Sequence, residues 1–123
     1  MMMVKSDCFF QEMLKLFPQT ISQYEEMKTQ YGRVLETVAI EDIFMPYIID
    51  LLESNQDLNL IHDMFDLFER VCRYGEQHLL DVFTTTILES IGNNQDILHK
   101  AENYMGPATK LLQIEADKHI GRK

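Results

Sequence analysis

The chain has 123 residues, of which 46% are hydrophobic and 25% charged, and this balance is typical of one globular domain rather than a disordered chain. Its 20 Asp and Glu outnumber 11 Lys and Arg, and the resulting net charge of −9 disfavours binding to nucleic acid or to anionic membranes. The sequence shows no apolar leader and no run of 18 apolar residues, which predicts a cytoplasmic location. Cys8 and Cys72 lack the C-x-x-C spacing of a metal or redox site.

Apolar residues recur at helical spacing along almost the whole chain, and turn residues separate the periodic stretches. Ser6 or Asp7 is suited to cap the first helix and Asp42 the third, while Gly75 is suited to end the fourth. Residues 33–42 contain β-branched and apolar side chains that predict an extended loop or a short strand. The predicted helices cover about 6–17, 20–31, 42–53, 58–74, 76–91, 95–104 and 107–118.

These elements predict an all-α single domain over residues 1–123, with frayed ends at 1–5 and 119–123. The fourth helix carries an apolar stripe wide enough for neighbours on more than one side, which indicates a central position. In the fifth helix, we expect Thr84 to face inward and to bond back to the carbonyl of Leu80. Six or seven helices with short connections favour a multi-helix bundle or a short HEAT-like array.

The sequence contains no phosphate-binding glycine loop and no motif for nucleophilic or zinc-dependent catalysis. The four histidines fall on different predicted elements, and none lies close to a cysteine, so we predict no metal site, no cofactor and no enzymatic activity. One alternative stays open, a metal-dependent helical enzyme in which His62 joins neighbouring carboxylates.

The negative charge is concentrated in residues 34–69, which hold nine acidic residues and no Lys or Arg. If the third and fourth helices are antiparallel neighbours, their polar faces form one acidic rim, which a basic protein would match. On the fifth helix, Glu89 lies near Val82 and Thr86 in a mixed acidic and apolar patch. The predicted partner-binding residues are Asp50, Glu53, Asp63, Asp66, Glu69 and Glu89.

Three short segments, 65–70, 88–91 and 104–110, resemble a family of small bacterial helical proteins of unassigned function. The resemblance covers about 8–115, whereas residues 35–41 match poorly because a histidine is expected there. Similar genes occur beside polymorphic toxin loci, so the resemblance implies an immunity role and no catalytic activity. The residues that match the family pattern are Phe68, Glu69, Leu88, Glu89, Gly106 and Pro107.

Taken together, these features predict a non-catalytic protein-binding module whose partner is a basic protein. The resemblance narrows this prediction to an immunity-type protein that occludes the basic surface of a toxin domain. Neither nucleic acid nor a membrane is predicted as a partner. A structural homodimer is a further alternative, which an apolar surface patch above about 300–600 Å² would favour.

Overall fold

The computed structural model describes residues 3–119, and within this range the chain is an all-α domain of seven helices. The predicted fold class and number of helices are therefore confirmed. Buried side chains from all seven helices join in one hydrophobic core, which favours the bundle over the repeat array. The helices are α1 (Ser6–Leu16), α2 (Ile21–Tyr31, after a 3₁₀ turn at Pro18–Thr20), α3 (36–54), α4 (Leu58–Tyr74), α5 (77–92), α6 (Gln95–Glu102) and α7 (Pro107–His119).

Helix α4 has the bounds and the central place that the sequence predicts. The side chain of Asp57 accepts a hydrogen bond from the Leu60 N–H at 3.2 Å, and the helix ends before Gly75. One side of α4 packs against α1 and another against α7. In the core, the ring of Phe68 meets that of Phe83 edge to face, with 5.1 Å between their centroids.

The prediction of an extended loop or a short strand over residues 33–42 is wrong beyond Leu35, because these residues are helical from Glu36 onward. The helix begins at Glu36, so Asp42 lies inside it and does not cap it. It passes through a π-helical segment, Ala39–Phe44, before continuing as Met45–Ser54. The buried side chains of this segment outweigh its weak helix propensity. Pro46 has no N–H to donate, which favours a wider turn just before it.

Helix α5 contains a second π-helical segment, Thr84–Leu88. The Thr85 hydroxyl donates to the Asp81 carbonyl at 2.8 Å, and the Thr86 hydroxyl donates to the Val82 carbonyl at 2.6 Å. The threonine run thus satisfies backbone acceptors of the preceding turn. The sequence predicted such a bond from Thr84 to the Leu80 carbonyl, but the hydroxyls that bond back are those of Thr85 and Thr86. Thr86 is also buried, so it does not belong to the predicted surface patch.

At the N-terminal end, Val4 is held by the fold, although the sequence predicts fraying over residues 1–5. Val4 forms an isolated bridge with the turn after α4, because its N–H donates to the Tyr74 carbonyl at 2.7 Å and its carbonyl accepts from the Glu76 N–H at 2.9 Å. Ser6 is the first residue of α1 and is buried, so neither it nor Asp7 is the cap. Residues 1–2 and 120–123, where fraying was also predicted, lie outside the described residues.

Candidate functional site

The predicted acidic rim rested on α3 and α4 being close neighbours, but the principal neighbours of these two helices differ. Helix α3 packs mainly against α2, α5 and α6, whereas α4 packs mainly against α1 and α7. Asp50 and Glu53 are exposed on α3. Neither residue lines the clefts that Asp63, Asp66 and Glu89 line.

Asp63 and Asp66 line a cleft of about 270 Å³ between α4 and α1. Two basic side chains share this cleft, and both bind Glu12: Lys15 Nζ lies 3.1 Å and Arg70 Nη2 lies 3.6 Å from its carboxylate oxygens. A hydrogen bond from Lys15 outweighs the cost of burial and, with the charges of Lys15 and Arg70, holds the pKa of Glu12 below its usual value. The cleft is therefore mixed in charge, which weakens the case for a basic partner here.

Glu69 is not an open surface acid, because its carboxylate caps helix α7 from a neighbouring helix. Oε2 accepts the Ala108 N–H at 3.1 Å, and Oε1 accepts the Thr109 N–H at 3.0 Å and the Thr109 hydroxyl at 2.8 Å. Arg73 Nε donates to Oε2 at 2.8 Å. Burial alone would raise the pKa of Glu69, but these hydrogen bonds outweigh it and hold the pKa below its ordinary value.

The Glu69 carboxylate can approach the start of α7 closely because Gly106 has no side chain. A Cβ built on Gly106 would lie 2.5 Å from both Cδ and Oε1 of Glu69, so only glycine leaves room for the carboxylate. Pro107 then begins α7, where its missing N–H is not needed. Glu69 and Gly106, which belong to two separate matches of the sequence resemblance, thus meet in one structural contact. This contact holds α7 against α4, and we leave Glu69 out of the partner surface.

Glu89, the remaining predicted residue, lies in a groove of about 480 Å³ between α5 and α7, which we call the α5–α7 groove. Its apolar contributors are Leu80, Leu112 and Ala116, and its carboxylates are Asp81, Glu89 and Glu115. No Lys or Arg lines this groove within the described chain. The remaining lining residues are Gln77, Thr84 and Thr85.

Sequence reasoning found Glu89 but missed the other carboxylates of the α5–α7 groove. Asp81 and Glu115 lie outside the acidic stretch at 34–69 and are 34 positions apart, so no local pattern links them. Leu112 and Ala116 are one helical turn apart on α7, and this spacing was the available signal for an apolar face. Their pairing with α5 depends on tertiary packing, which a single sequence does not show.

Among the described side chains, no group of three or more His, Cys, Asp or Glu converges as metal ligands would. The His62 ring instead meets the Tyr104 ring edge to face, with 5.2 Å between centroids. Burial raises the pKa of the Cys72 thiol to about 11, so the thiolate that a metal requires is disfavoured.

None of the described helices combines the length and apolar character needed to cross a membrane. Comparison with protein-family models matches residues 10–121 to a domain of unknown function (DUF7674). Comparison with curated proteins and with solved structures gives no match.

Proposed function

Because the chain belongs to the DUF7674 family, whose function is unknown, we propose its role from surface geometry: a non-catalytic module that binds a basic protein partner in the α5–α7 groove. One observation carries the proposal. The groove combines an apolar surface with the exposed carboxylates of Asp81 and Glu115, and none of its described lining residues is basic.

These two features suit different parts of one ligand. An apolar side chain of the partner would pack on Leu80, Leu112 and Ala116, where burial of apolar surface contributes about 25 cal/mol per Å². A Lys or Arg beside that anchor would meet Asp81 and Glu115 at the rim. Complementary charge would accelerate the encounter and select against acidic proteins.

The immunity-type role is the narrowest form of this proposal. In that form the partner is a toxin domain with a basic surface, and the module acts in the cytoplasm by occluding that surface. The acidic character of the groove supports it, and so does the net charge of −9. The mechanism needs no reacting group on this chain, because steric exclusion of the toxin's own target is sufficient.

Affinity capture from source-cell lysate tests the proposal by comparing the wild type with two variants that lose negative charge at different places on the surface. The groove variant is Asp81→Asn/Glu115→Gln, and the matched control is Asp50→Asn/Glu53→Gln, which removes the same charge from exposed positions on α3. We expect wild type and the control to capture the same basic protein, and the groove variant to lose it. Titration of the purified partner at low and high salt should show weaker binding at high salt.

Two results would overturn the proposal. Equal affinity of the purified partner for the groove variant and the wild type would show that the groove is not the binding surface. Equal loss of affinity in both variants would show that total charge, rather than the groove, attracts the partner.

A further inference from the structure

The floor of the α5–α7 groove consists of apolar and small side chains that the fold covers only in part. Leu80 and Thr84 lie one turn apart on α5, and both are half-buried. Leu112 and Ala116 lie one turn apart on α7, where Leu112 is half-buried and Ala116 is buried. The floor therefore extends along both helices and leaves apolar surface available to a ligand.

Exposed carboxylates next to this floor form an acidic rim on each side of it. Asp81 directly follows Leu80 on α5, and Glu115 directly precedes Ala116 on α7; both carboxylates are exposed. The Gln77 amide donates a hydrogen bond to Asp81 Oδ1 at 2.8 Å, but this donor is neutral and does not cancel the charge. A ligand that lies on the floor thus has negative charge on both of its flanks.

The shape of the α5–α7 groove suits a helix better than an extended peptide. Its lining residues on α5 extend from Gln77 to Glu89, which is about 18 Å at 1.5 Å per residue. The described lining residues all belong to two helices, so they offer no strand edge with which an extended backbone could pair. A helix satisfies its own backbone hydrogen bonds and packs readily against two other helices.

We propose that the segment of the partner that fills the α5–α7 groove is an amphipathic helix of about 12 residues, with Lys or Arg on both sides of its apolar stripe. The apolar stripe covers Leu80 and Leu112, and the basic side chains meet Asp81 on one rim and Glu115 on the other. This inference rests on the proposed function, because it specifies which part of a basic partner the groove recognises.

Two synthetic peptides of identical composition test the proposal. Both contain only Leu and Lys and are about 14 residues long, slightly longer than the groove. In the first peptide the leucines recur at helical spacing, and in the second leucine and lysine alternate, which favours a strand. Fluorescence anisotropy of each labelled peptide with the purified chain gives its dissociation constant. We expect the helical peptide to bind at least about tenfold more tightly than the alternating one.

Variants of the chain then locate the bound peptide. Asp81→Asn/Glu115→Gln should weaken binding of the helical peptide at least about tenfold, whereas Asp50→Asn/Glu53→Gln, which removes the same charge from exposed positions on α3, should leave its affinity unchanged. Each of the single variants Asp81→Asn and Glu115→Gln should account for part of the loss, because the helix carries lysines on both flanks. A loss caused by only one of them would exclude the arrangement with two basic flanks.

The remaining outcomes separate this inference from the proposed function. Equal affinity of the two peptides excludes a helical occupant, and equal affinity of the helical peptide for wild type and the double groove variant excludes the groove as its site. If the helical peptide does not bind but the captured partner still needs Asp81 and Glu115, the inference fails and the proposed function stands. A captured partner that binds equally well without these carboxylates overturns the proposed function itself.

Discussion

Replacing Glu69 with alanine should be one of the most destabilising single changes at any charged residue of this chain. The carboxylate accepts two backbone N–H groups of the first turn of α7, the Thr109 hydroxyl and the Arg73 guanidinium. Gly106, at the start of this turn, has no side chain with which to cap the helix itself. Truncation of Glu69 therefore leaves the N–H groups of Ala108 and Thr109 without their acceptor.

The expected cost follows from these contacts. Loss of a helix cap costs about 0.5–2 kcal/mol, and hydrogen bonds to a charged group contribute about 1.5–3 kcal/mol each when fully buried. The Glu69 side chain is 18% exposed, so water replaces part of what is lost. We therefore expect Glu69→Ala to lower the free energy of unfolding by about 2–4 kcal/mol. Arg73 is 47% exposed, and Arg73→Ala should cost less than about 1 kcal/mol.

Urea denaturation followed by far-ultraviolet circular dichroism measures these differences. The isosteric variant Glu69→Gln separates charge from shape, because it keeps one acceptor oxygen and places an NH₂ group where the second accepted hydrogen bonds. The expected order of destabilisation is Glu69→Ala first, Glu69→Gln second and Arg73→Ala last.

The pH dependence adds an independent check. The pKa of folded Glu69 is lowered, so its charge stabilises the fold above the pKa of the unfolded carboxyl, and this stability is lost as pH falls through the folded value. The difference between wild type and Glu69→Gln should therefore shrink in acid. A Glu69→Ala variant as stable as Arg73→Ala, or a difference from Glu69→Gln that does not depend on pH, would refute the capping role.

Three further predictions concern other contacts. Gly106→Ala should lower the free energy of unfolding, measured by urea denaturation, by about 1–3 kcal/mol, because the added Cβ would collide with Glu69. This loss should largely vanish in a Glu69→Ala background, and equal losses in both backgrounds would contradict the contact. A hydrogen bond to Glu36 raises the pKa of His78. An NMR titration should therefore show a lower pKa of His78 in the Glu36→Gln variant than in wild type. The stability from this pair should be present in acid and lost as pH rises through the folded pKa of His78. Burial raises the pKa of Cys72 to about 11, which leaves little thiolate at mildly alkaline pH. Iodoacetamide should therefore label only the exposed Cys8 in the native protein. Labelling of Cys72 in the native state would contradict its burial.

The parts of the fold that the sequence predicted well are those determined by local chemistry. Helix α4 has its expected bounds, because Asp57 caps its first turn and the apolar period ends at Gly75. The same holds for the end of α2, where Gly32 takes a left-handed conformation with φ of 72°. Short-range rules of capping and periodicity suffice for such elements.

The failures occurred where long-range packing decides the outcome. The β-branched residues around 34–40 predicted extended backbone, but burial of Ala39 and Ile40 in the core makes the segment helical. Glu69 looked like a surface acid in a charged row, and its true partners lie about 40 positions further along the chain. The α5–α7 groove joins two helices that are not consecutive, so its carboxylates had no common signal in the sequence.

The π-helical segments of α3 and α5, which lie against each other, have a consequence for chain length. A turn closed by hydrogen bonds to the fifth preceding residue holds one residue more than an α-helical turn between the same ends. Removing one residue within Thr84–Leu88 would restore a regular helix and leave both flanking stretches facing the core as before. The same deletion elsewhere in α5 would rotate everything beyond it by about 100°. Within α3 and α5, the two segments are thus the places where losing one residue leaves the register of the rest of the helix unchanged.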